Sequence, residues 1–261
     1  YAASGALLGA LVRAVLFERD DPLVLFSTGL LMIVLGGFGW FALLIAFFAG
    51  GGLATKFKYE RKRQRGIAED DGGARGSGNV LANAAVALAA VLGYAAAPLV
   101  PIGGELFRFV FAGSIAAAMA DTLSSEIGGL YDTPRLITTL KPVPPGTDGG
   151  VTWEGVLAGL GGAVVVAGLA VLVFDMTPTG AAIIAAAGIA GMVVDSLLGA
   201  LFEDRRLDSL LPGSDDATGI DRGSGSLGSL EFDNRTVNFF ATLTAALVCA
   251  ALAVSVGLAP L

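Results

Sequence analysis

The sequence predicts an all-α protein, a polytopic bundle of transmembrane helices. Of its 261 residues, 54% are hydrophobic, and the mean hydropathy is +0.75. Several apolar stretches approach or exceed the roughly 20 residues that span a bilayer. We expect about six to seven membrane helices, packed as one transmembrane domain over residues 1–261. The 38 glycines agree with this class, because small residues let membrane helices pack backbone to backbone.

The apolar runs predict the helices in order. Helical runs are expected over residues 1–17, 23–35, 38–54, 80–97, 106–130, 151–174, 180–202 and 237–258, with Gly36 and Gly37 separating the second from the third. Three polar loops remain, at 55–79, 131–150 and 203–236. The first carries the densest basic cluster, so the positive-inside rule makes it cytoplasmic. This predicted topology places all three loops on the cytoplasmic face of a multi-pass protein of the cell membrane. We therefore expect the active site on that face.

The residue types present limit the kinds of catalysis and metal binding that the chain can perform. The chain has no histidine and one cysteine, which excludes imidazole general-base catalysis, zinc hydrolase chemistry and a thiolate metal site. Carboxylates, hydroxyls, lysine, arginine and backbone amides remain. These groups favour hard, oxygen-ligated cations such as Mg²⁺.

Two acids interrupt the predicted helix over 106–130. A carboxylate at mid-bilayer costs about 2.5 to 3.5 kcal/mol, so Asp121 and Glu126 are expected to meet a partner, an ion or water. Asp121 shares a helix face with small and polar residues, whereas Glu126 lies about 140° round the helix, so the two need not meet the same group. The alternative is a small-residue packing seam with one buried carboxylate bonded to hydroxyls such as Ser124 and Ser125.

A weak internal repeat predicts a second acid at the same depth. Asn79 and Asp121 are 42 residues apart, and Thr152 and Asp195 are 43 apart. Each interval would hold an outgoing and a returning helix. Asp121 and Asp195 could then share one cation, unless the spacing is a coincidence in a chain rich in Gly and Ala.

The polar segments beside the helices offer phosphate contacts. Backbone amides of residues 147–150, with Lys141, suit an anion, and Thr147 or Asp148 suits a cation; the plain alternative is a Pro/Gly loop that caps a helix. Lys56 and Arg75 are further candidate cations, while the run 61–65 is interpreted mainly as an orientation signal that attracts anionic lipids. The amides of Asn79, Asn83 and Asn238 lie at predicted inner helix ends.

Four motifs in this order resemble the phytyl-phosphate kinase family, a membrane family that includes transmembrane protein nineteen and many archaeal members. The motifs are GGARGSGNVLAN at 72–83, ADTLSSEIG at 120–128, PPGTDGGVT at 144–152 and DSLLGA at 195–200. The resemblance covers nearly the whole chain. The corresponding motif positions are Arg75, Asn79, Asn83, Asp121, Ser124, Ser125, Glu126, Thr147, Gly149, Gly150, Asp195, Ser196 and Asn238.

The resemblance implies an integral-membrane kinase that converts a prenyl monophosphate, such as phytyl or geranylgeranyl phosphate, to the diphosphate. The donor would be CTP or ATP with Mg²⁺, and the partners would be the prenyl lipid, the nucleotide and membrane lipids, with no nucleic acid. We expect an archaeal member of the family, and the sequence leaves its oligomeric state open. In this hypothesis Asp121, Glu126 and Asp195 hold Mg²⁺, while Lys141, Arg75 and the amides of residues 147–150 stabilise the transferring phosphoryl group.

Two other functions stay open at this point. Paired acids within the membrane and a two-unit repeat also suit an ion-coupled transporter, which requires access to the acids from both faces. A CTP-dependent cytidylyltransferase acting on a lipid phosphate would use most of the same site. It would release pyrophosphate instead of a nucleoside diphosphate.

Overall fold

The computed structural model describes residues 22–68, 77–99, 102–210 and 234–260, with side chains described except at 22–25, 77–82 and 202–210. This part of the chain forms eight α-helices: α1 (Pro22–Leu31), α2 (Phe38–Lys56), α3 (Tyr59–Gln64), α4 (Ser77–Ala96), α5 (Gly104–Gly128), α6 (Trp153–Phe174), α7 (Pro178–Leu210) and α8 (Asn234–Ser255). Two short antiparallel strands, β1 (Arg135–Leu136) and β2 (Gly150–Val151), complete it. The predicted helical run 1–17 lies outside the described residues.

The predicted fold class is confirmed. Among the described residues, α2, α5, α6, α8 and the segment Pro178–Leu201 of α7 are long and apolar enough to cross a membrane, and two shorter apolar helices cover Phe26–Gly36 and Asn83–Leu99. The break predicted at Gly36 and Gly37 is also present. A π-helical turn, Met32–Gly36, ends at Gly37, whose φ of 90° is a backbone conformation that glycine adopts readily.

Two predicted loops contain more helix than the sequence suggested. The loop over 55–79 includes α3, which begins directly after a left-handed residue, Lys58, with φ 50°. The loop over 203–236 is shortened at both ends, because α7 continues to Leu210 and α8 begins at Asn234. The third loop, 131–150, carries β1, and β2 begins at its last residue, with Arg135 opposite Val151 and Leu136 opposite Gly150.

Helix α5 lies at the centre of the bundle. It packs against α2, α4, α6, α7 and α8, and its residues 111–120 are all buried. Most of these are Ala, Gly or Ser, so neighbouring backbones come close. A Cβ atom added to Gly191 of α7 would lie 2.5 Å from the Cβ of Ala117. This close approach brings the next turn of α7, with Asp195, towards Asp121 on α5.

Aromatic side chains close one end of the bundle, which we term the far end. Here α2, α5 and α7 begin, and α4 and α6 end. The Trp40 ring packs on Tyr94, Phe111 and Phe174, with ring centroids 5.0, 4.5 and 5.6 Å away. Trp40 is 1% exposed and Phe111 0%. The polar residues of the predicted site lie at the opposite end.

Candidate functional site

A polar cavity of about 390 Å³ opens at the end of the bundle opposite the aromatic cluster. The cavity is lined by the segment after α3, the end of α5, the loop before α6, residues 195–199 of α7 and the start of α8. The structure thereby brings together most of the predicted site residues: Asp121, Ser124, Ser125, Glu126, Thr147, Asp148, Gly149, Gly150, Asp195, Ser196 and Asn238.

Two aspartates from different helices meet in this cavity. The carboxyl groups of Asp121 and Asp195 are in hydrogen-bonding contact, and Asp148 is close enough to Asp195 for electrostatic interaction. The Oδ1 atom of Asp195 is buried and has no hydrogen-bond partner within the described part of the chain. A buried, unpaired carboxylate oxygen is costly, so this atom of the cavity lining is a candidate position for a ligand.

Hydroxyl and amide groups surround the aspartate pair. Ser124 and Ser125 come from α5, Ser196 from α7, and Asn234 and Asn238 from the first turns of α8. All of these side chains carry oxygen atoms, which are the ligands that hard divalent cations prefer. The donor set therefore fits Mg²⁺ at Asp121 and Asp195, with the serine hydroxyls beside them.

The glycine-rich loop before α6 is held firmly against α7. Gly149 has a φ of +73°, and a Cβ atom added there would lie 2.4 Å from the Cβ and 2.5 Å from the backbone nitrogen of Ala200. No side chain fits this position. The loop is also folded on itself, because the amide and the hydroxyl of Thr147 both donate to the carbonyl of Pro144, at 3.3 and 2.8 Å.

Two of the four backbone amides predicted to bind an anion, those of residues 147–150, already donate hydrogen bonds within the loop. Thr147 N–H donates to Pro144, and Gly150 N–H donates to the Thr147 carbonyl at 2.9 Å. Any amide contact to an anion from residues 147–150 therefore falls to Asp148 and Gly149. The start of α6 is capped as well, since the buried Thr152 hydroxyl accepts the amide of Gly155 at 3.1 Å.

Glu126 differs from its predicted role as a metal ligand. Lys62 of α3 donates to its Oε2 at 2.6 Å, and the Thr55 hydroxyl donates to its Oε1 at 2.6 Å. Both oxygens thus have protein partners. Within the described ranges, no group of three acidic, histidine or cysteine side chains is arranged to hold a metal. The correction follows from the helix angle, because Glu126 faces α2 and α3 while Asp121 faces α7.

Lys62 is the lysine that lines the cavity, and the sequence did not single it out. It is 2% exposed, and besides Glu126 it donates to the carbonyls of Ala54 and Thr55 at 2.7 and 3.2 Å, capping the end of α2. Three residues on, Arg65 donates to the Gly129 carbonyl at 3.1 Å. Part of the basic run, interpreted from the sequence as an orientation signal, therefore fixes α3 to the end of α5.

Lys141 differs from its prediction as a phosphate contact. It is exposed and does not line the cavity, because its carbonyl accepts the amide of Leu136 in the turn after β1. Asn83 is buried at 5% exposure but also lies outside the cavity lining. Arg75 lies outside the described residues, and the side chain of Asn79 is not among those described.

The cavity lining also includes residues that the sequence analysis did not predict, among them Lys62, Ile67 and Thr152. Thr152 had a recognisable signal, since a threonine directly before a helix is a common N-cap. Ile67 had none. Its side chain contacts the glycine backbone at Gly129 and Gly146, where an added Cβ would lie 2.8 and 2.7 Å from it. These contacts connect segments far apart in the chain.

The cavity is strongly acidic in its described lining. Four carboxylates, from Asp121, Glu126, Asp148 and Asp195, face one ammonium group, that of Lys62. Lys62 is already paired with Glu126. Without a cation, these carboxylates would repel a phosphate. Two like charges about 4 Å apart repel by about 4 kcal/mol even at an effective dielectric constant of about 20.

Comparisons with known proteins identify relatives over most of the chain. A family model described as integral membrane protein DUF92 matches residues 3–246. "Protein VTE6, chloroplastic" of Arabidopsis thaliana is 35% identical over 65% of this chain and 51% of its own length. "Uncharacterized membrane protein MJ0933" of Methanocaldococcus jannaschii is 38% identical over 67% of this chain and 70% of its own. "Protein PGR" of Arabidopsis thaliana is 35% identical over 64% and 65%.

The matched segment thus spans about half of the first of these relatives and about two-thirds of the other two. No solved structure matches the chain.

Proposed function

The chain belongs to the integral membrane family DUF92, which confirms the family recognised from the four motifs, and we propose that it acts as a prenyl-phosphate kinase. In this reaction a phosphate oxygen of a prenyl monophosphate attacks the terminal phosphorus of a nucleoside triphosphate. The bond between that phosphorus and the bridging oxygen breaks. A prenyl diphosphate forms, and a nucleoside diphosphate leaves with the electron pair.

The observation that carries this proposal is the position of the cavity. It joins a polar, carboxylate-lined space to the ends of apolar membrane helices. The apolar surfaces of α6 and α7 suit a prenyl tail, with Leu157 and Leu201 53% and 52% exposed near the cavity end. The phosphate headgroup would then lie among the serine and asparagine side chains.

Mg²⁺ is the cation that we propose for the Asp121 and Asp195 pair. Bound there, it would neutralise phosphate charge in a site that otherwise repels anions. The serines on the same helices, Ser124 and Ser196, would orient the phosphates by hydrogen bonds. Asn238, 6% exposed, offers an amide donor from α8.

No strong general base is required for this reaction. The acceptor is already a phosphate anion, and phosphoryl transfer depends mainly on positioning and charge stabilisation. This agrees with a chain that contains no histidine. The glycine loop supplies the amides of Asp148 and Gly149, and its fixed contact with Ala200 would hold them in place.

The transporter alternative receives less support. Between the cavity and the far end, the central helix is closely packed, with Phe111, Ala112 and Ile115 each 0 or 1% exposed. The acids therefore have a polar approach from the cavity side. An ion path through the described bundle would require this packing to open.

The test of the proposal is an assay with the purified full chain. A C20 prenyl monophosphate, Mg²⁺ and either CTP or ATP are incubated with the protein in detergent. We expect prenyl diphosphate and one nucleoside diphosphate per turnover, detected by mass spectrometry. Pyrophosphate as the co-product would instead identify a cytidylyltransferase, and nucleotide-independent ion flux in liposomes would identify a transporter.

Gly149→Ala is predicted to lower this kinase activity by about 10- to 100-fold, because displacing catalytic groups by about 1 Å can cost that much. The methyl group would lie within 2.6 Å of three Ala200 atoms, so the loop must shift. Gly161→Ala on α6 is the matched control, since nothing lies within 4 Å of its added Cβ. Equal activity of both variants would show that the loop position does not matter.

The cavity is proposed to face the cytoplasm in the cell membrane, because α3 and its basic neighbours lie beside it. The single cysteine, Cys249, is buried, so an introduced cysteine gives a clean label. Arg61→Cys, at a side chain 49% exposed, should react with an impermeant maleimide only in opened cells. Leu99→Cys, at an 86% exposed far-end position, should react in intact cells. The reverse pattern would invert the orientation.

A further inference from the structure

The aspartate pair poses a question about the order of binding. In many kinases Mg²⁺ arrives with the nucleotide, because the phosphates are its main ligands. Here, Asp121 and Asp195 from two membrane helices are in hydrogen-bonding contact with each other. Two carboxylates in hydrogen-bonding contact repel each other unless a proton or a cation lies between them.

A second observation distinguishes this pair from a simple acidic cluster. The Oδ1 atom of Asp195 is buried without a hydrogen-bond partner in the described structure, and Asp195 lines the cavity. Both oxygens of Glu126, another carboxylate of the cavity lining, are bonded. Glu154 Oε2 is also buried without a partner, but Glu154 does not line the cavity. The unsatisfied oxygen therefore marks one side of a ligand position.

A third carboxylate is held nearby by the loop. Gly149 lies against Ala200, one turn beyond Ser196, and this contact places Asp148 within electrostatic range of Asp195. Asp148 itself is exposed and lines the cavity. Its charge adds attraction for a cation at the pair without requiring direct contact.

We infer that the Asp121 and Asp195 pair binds a divalent cation on its own, before nucleotide or lipid, and that Asp148 strengthens this binding from the loop. The inference rests on the proposed function for its meaning in catalysis, since a resident cation would make the acidic cavity attractive to phosphates. The cation would be held by hard oxygen donors, as Mg²⁺ and Mn²⁺ prefer.

The test titrates Mn²⁺ into the purified full chain in detergent, without nucleotide or prenyl phosphate, and counts free Mn²⁺ by electron paramagnetic resonance. We expect one saturable site per chain. Asp195→Asn should weaken its affinity by at least about tenfold, and Asp148→Asn by about three- to tenfold, as expected for losing a direct and a more distant charge. Glu60→Gln, at an exposed carboxylate of α3, is the matched control and should not change the affinity.

Thermal unfolding gives a second readout that a merely structural aspartate would not produce. Mn²⁺ should raise the Tm of the wild-type chain, because a ligand that binds the folded state stabilises it. Without metal, Asp195→Asn should melt at or above the wild-type Tm, since it removes like-charge repulsion, and Mn²⁺ should no longer raise it. A metal-free Asp195→Asn chain that melts well below wild type would overturn the inference.

The outcomes separate this inference from the kinase proposal. If Mn²⁺ fails to bind alone but the enzyme makes prenyl diphosphate with Mg²⁺ and nucleotide, the inference is wrong and the kinase proposal stands. If Mn²⁺ binds the pair but no diphosphate forms with any donor, the cation site stands and the kinase proposal fails. Equal Mn²⁺ affinity of wild type and Asp148→Asn would show that the loop carboxylate does not contribute to cation binding.

Discussion

Asp121→Asn and Asp195→Asn are each expected to lower prenyl diphosphate formation by at least about 100-fold, the loss typical of removing a group that stabilises transition-state charge. Each substitution keeps the size of the side chain and removes one negative charge from the pair. The phosphates would then lose the cation that offsets their repulsion by the cavity. Initial rates at saturating nucleotide and prenyl phosphate measure the effect as kcat.

Asp175→Asn is the matched control for both variants. Asp175 lies at the far end, is exposed, and has a left-handed backbone with φ 54° that asparagine also tolerates. It should retain wild-type kcat. If all three variants are equally active, the aspartate pair takes no part in the reaction, whereas equal loss in all three would indicate a general effect on folding.

The meeting of the two aspartates was predictable from the sequence. Asp121 shares a helix face with Gly113 and Ala117, and Asp195 shares one with Gly188 and Gly191. Small residues on both faces predict a close crossing in a membrane. The structure places Gly188 and Gly191 against Ala116 and Ala117. Ala117 therefore lies at the predicted crossing, whereas Gly113 packs against Ala245 and Cys249 of α8.

The partners of Glu126 were not predictable in the same way. Helical periodicity gave the angle between Glu126 and Asp121, which correctly separated them. It does not predict which side chains from other segments lie beside Glu126. Lys62 is 64 residues away in sequence, on a short helix whose positive charges have a sufficient explanation in membrane orientation. The left-handed turn at Lys58 reverses the chain, so that Lys62 and Arg65 of this segment contact the ends of α2 and α5.

The glycine loop was predicted in composition but not in detail. Its Pro and Gly residues correctly indicated a stiff loop with positive φ, which Gly146 and Gly149 adopt at 87° and 73°. Composition does not reveal which amides the loop uses for its own turns. It also does not reveal that the Lys141 carbonyl accepts the amide of Leu136, which fixes Lys141 in the turn after β1.

Lys62→Met is expected to lower the free energy of unfolding by about 3 to 5 kcal/mol, the usual effect of removing one partner from a buried ion pair. The side chains of Lys62 and Glu126 are only 2% and 10% exposed. Methionine fills a similar volume, but it leaves the Glu126 carboxylate and two α2 carbonyls without their donor. Thermal or SDS unfolding of the purified chain in detergent measures the change.

Arg63→Met is the matched control, because Arg63 is on the same helix with a side chain 68% exposed and should change stability by no more than about 0.5 kcal/mol. The double variant Lys62→Met/Glu126→Gln should recover much of the loss, because no unpaired charge remains, and the cycle measures the coupling directly. Lys62→Met as stable as Arg63→Met would contradict the pair's structural role. If Glu126→Gln instead left stability intact but weakened Mn²⁺ binding, Glu126 would be a metal ligand after all, and Lys62 would be free to act on phosphate.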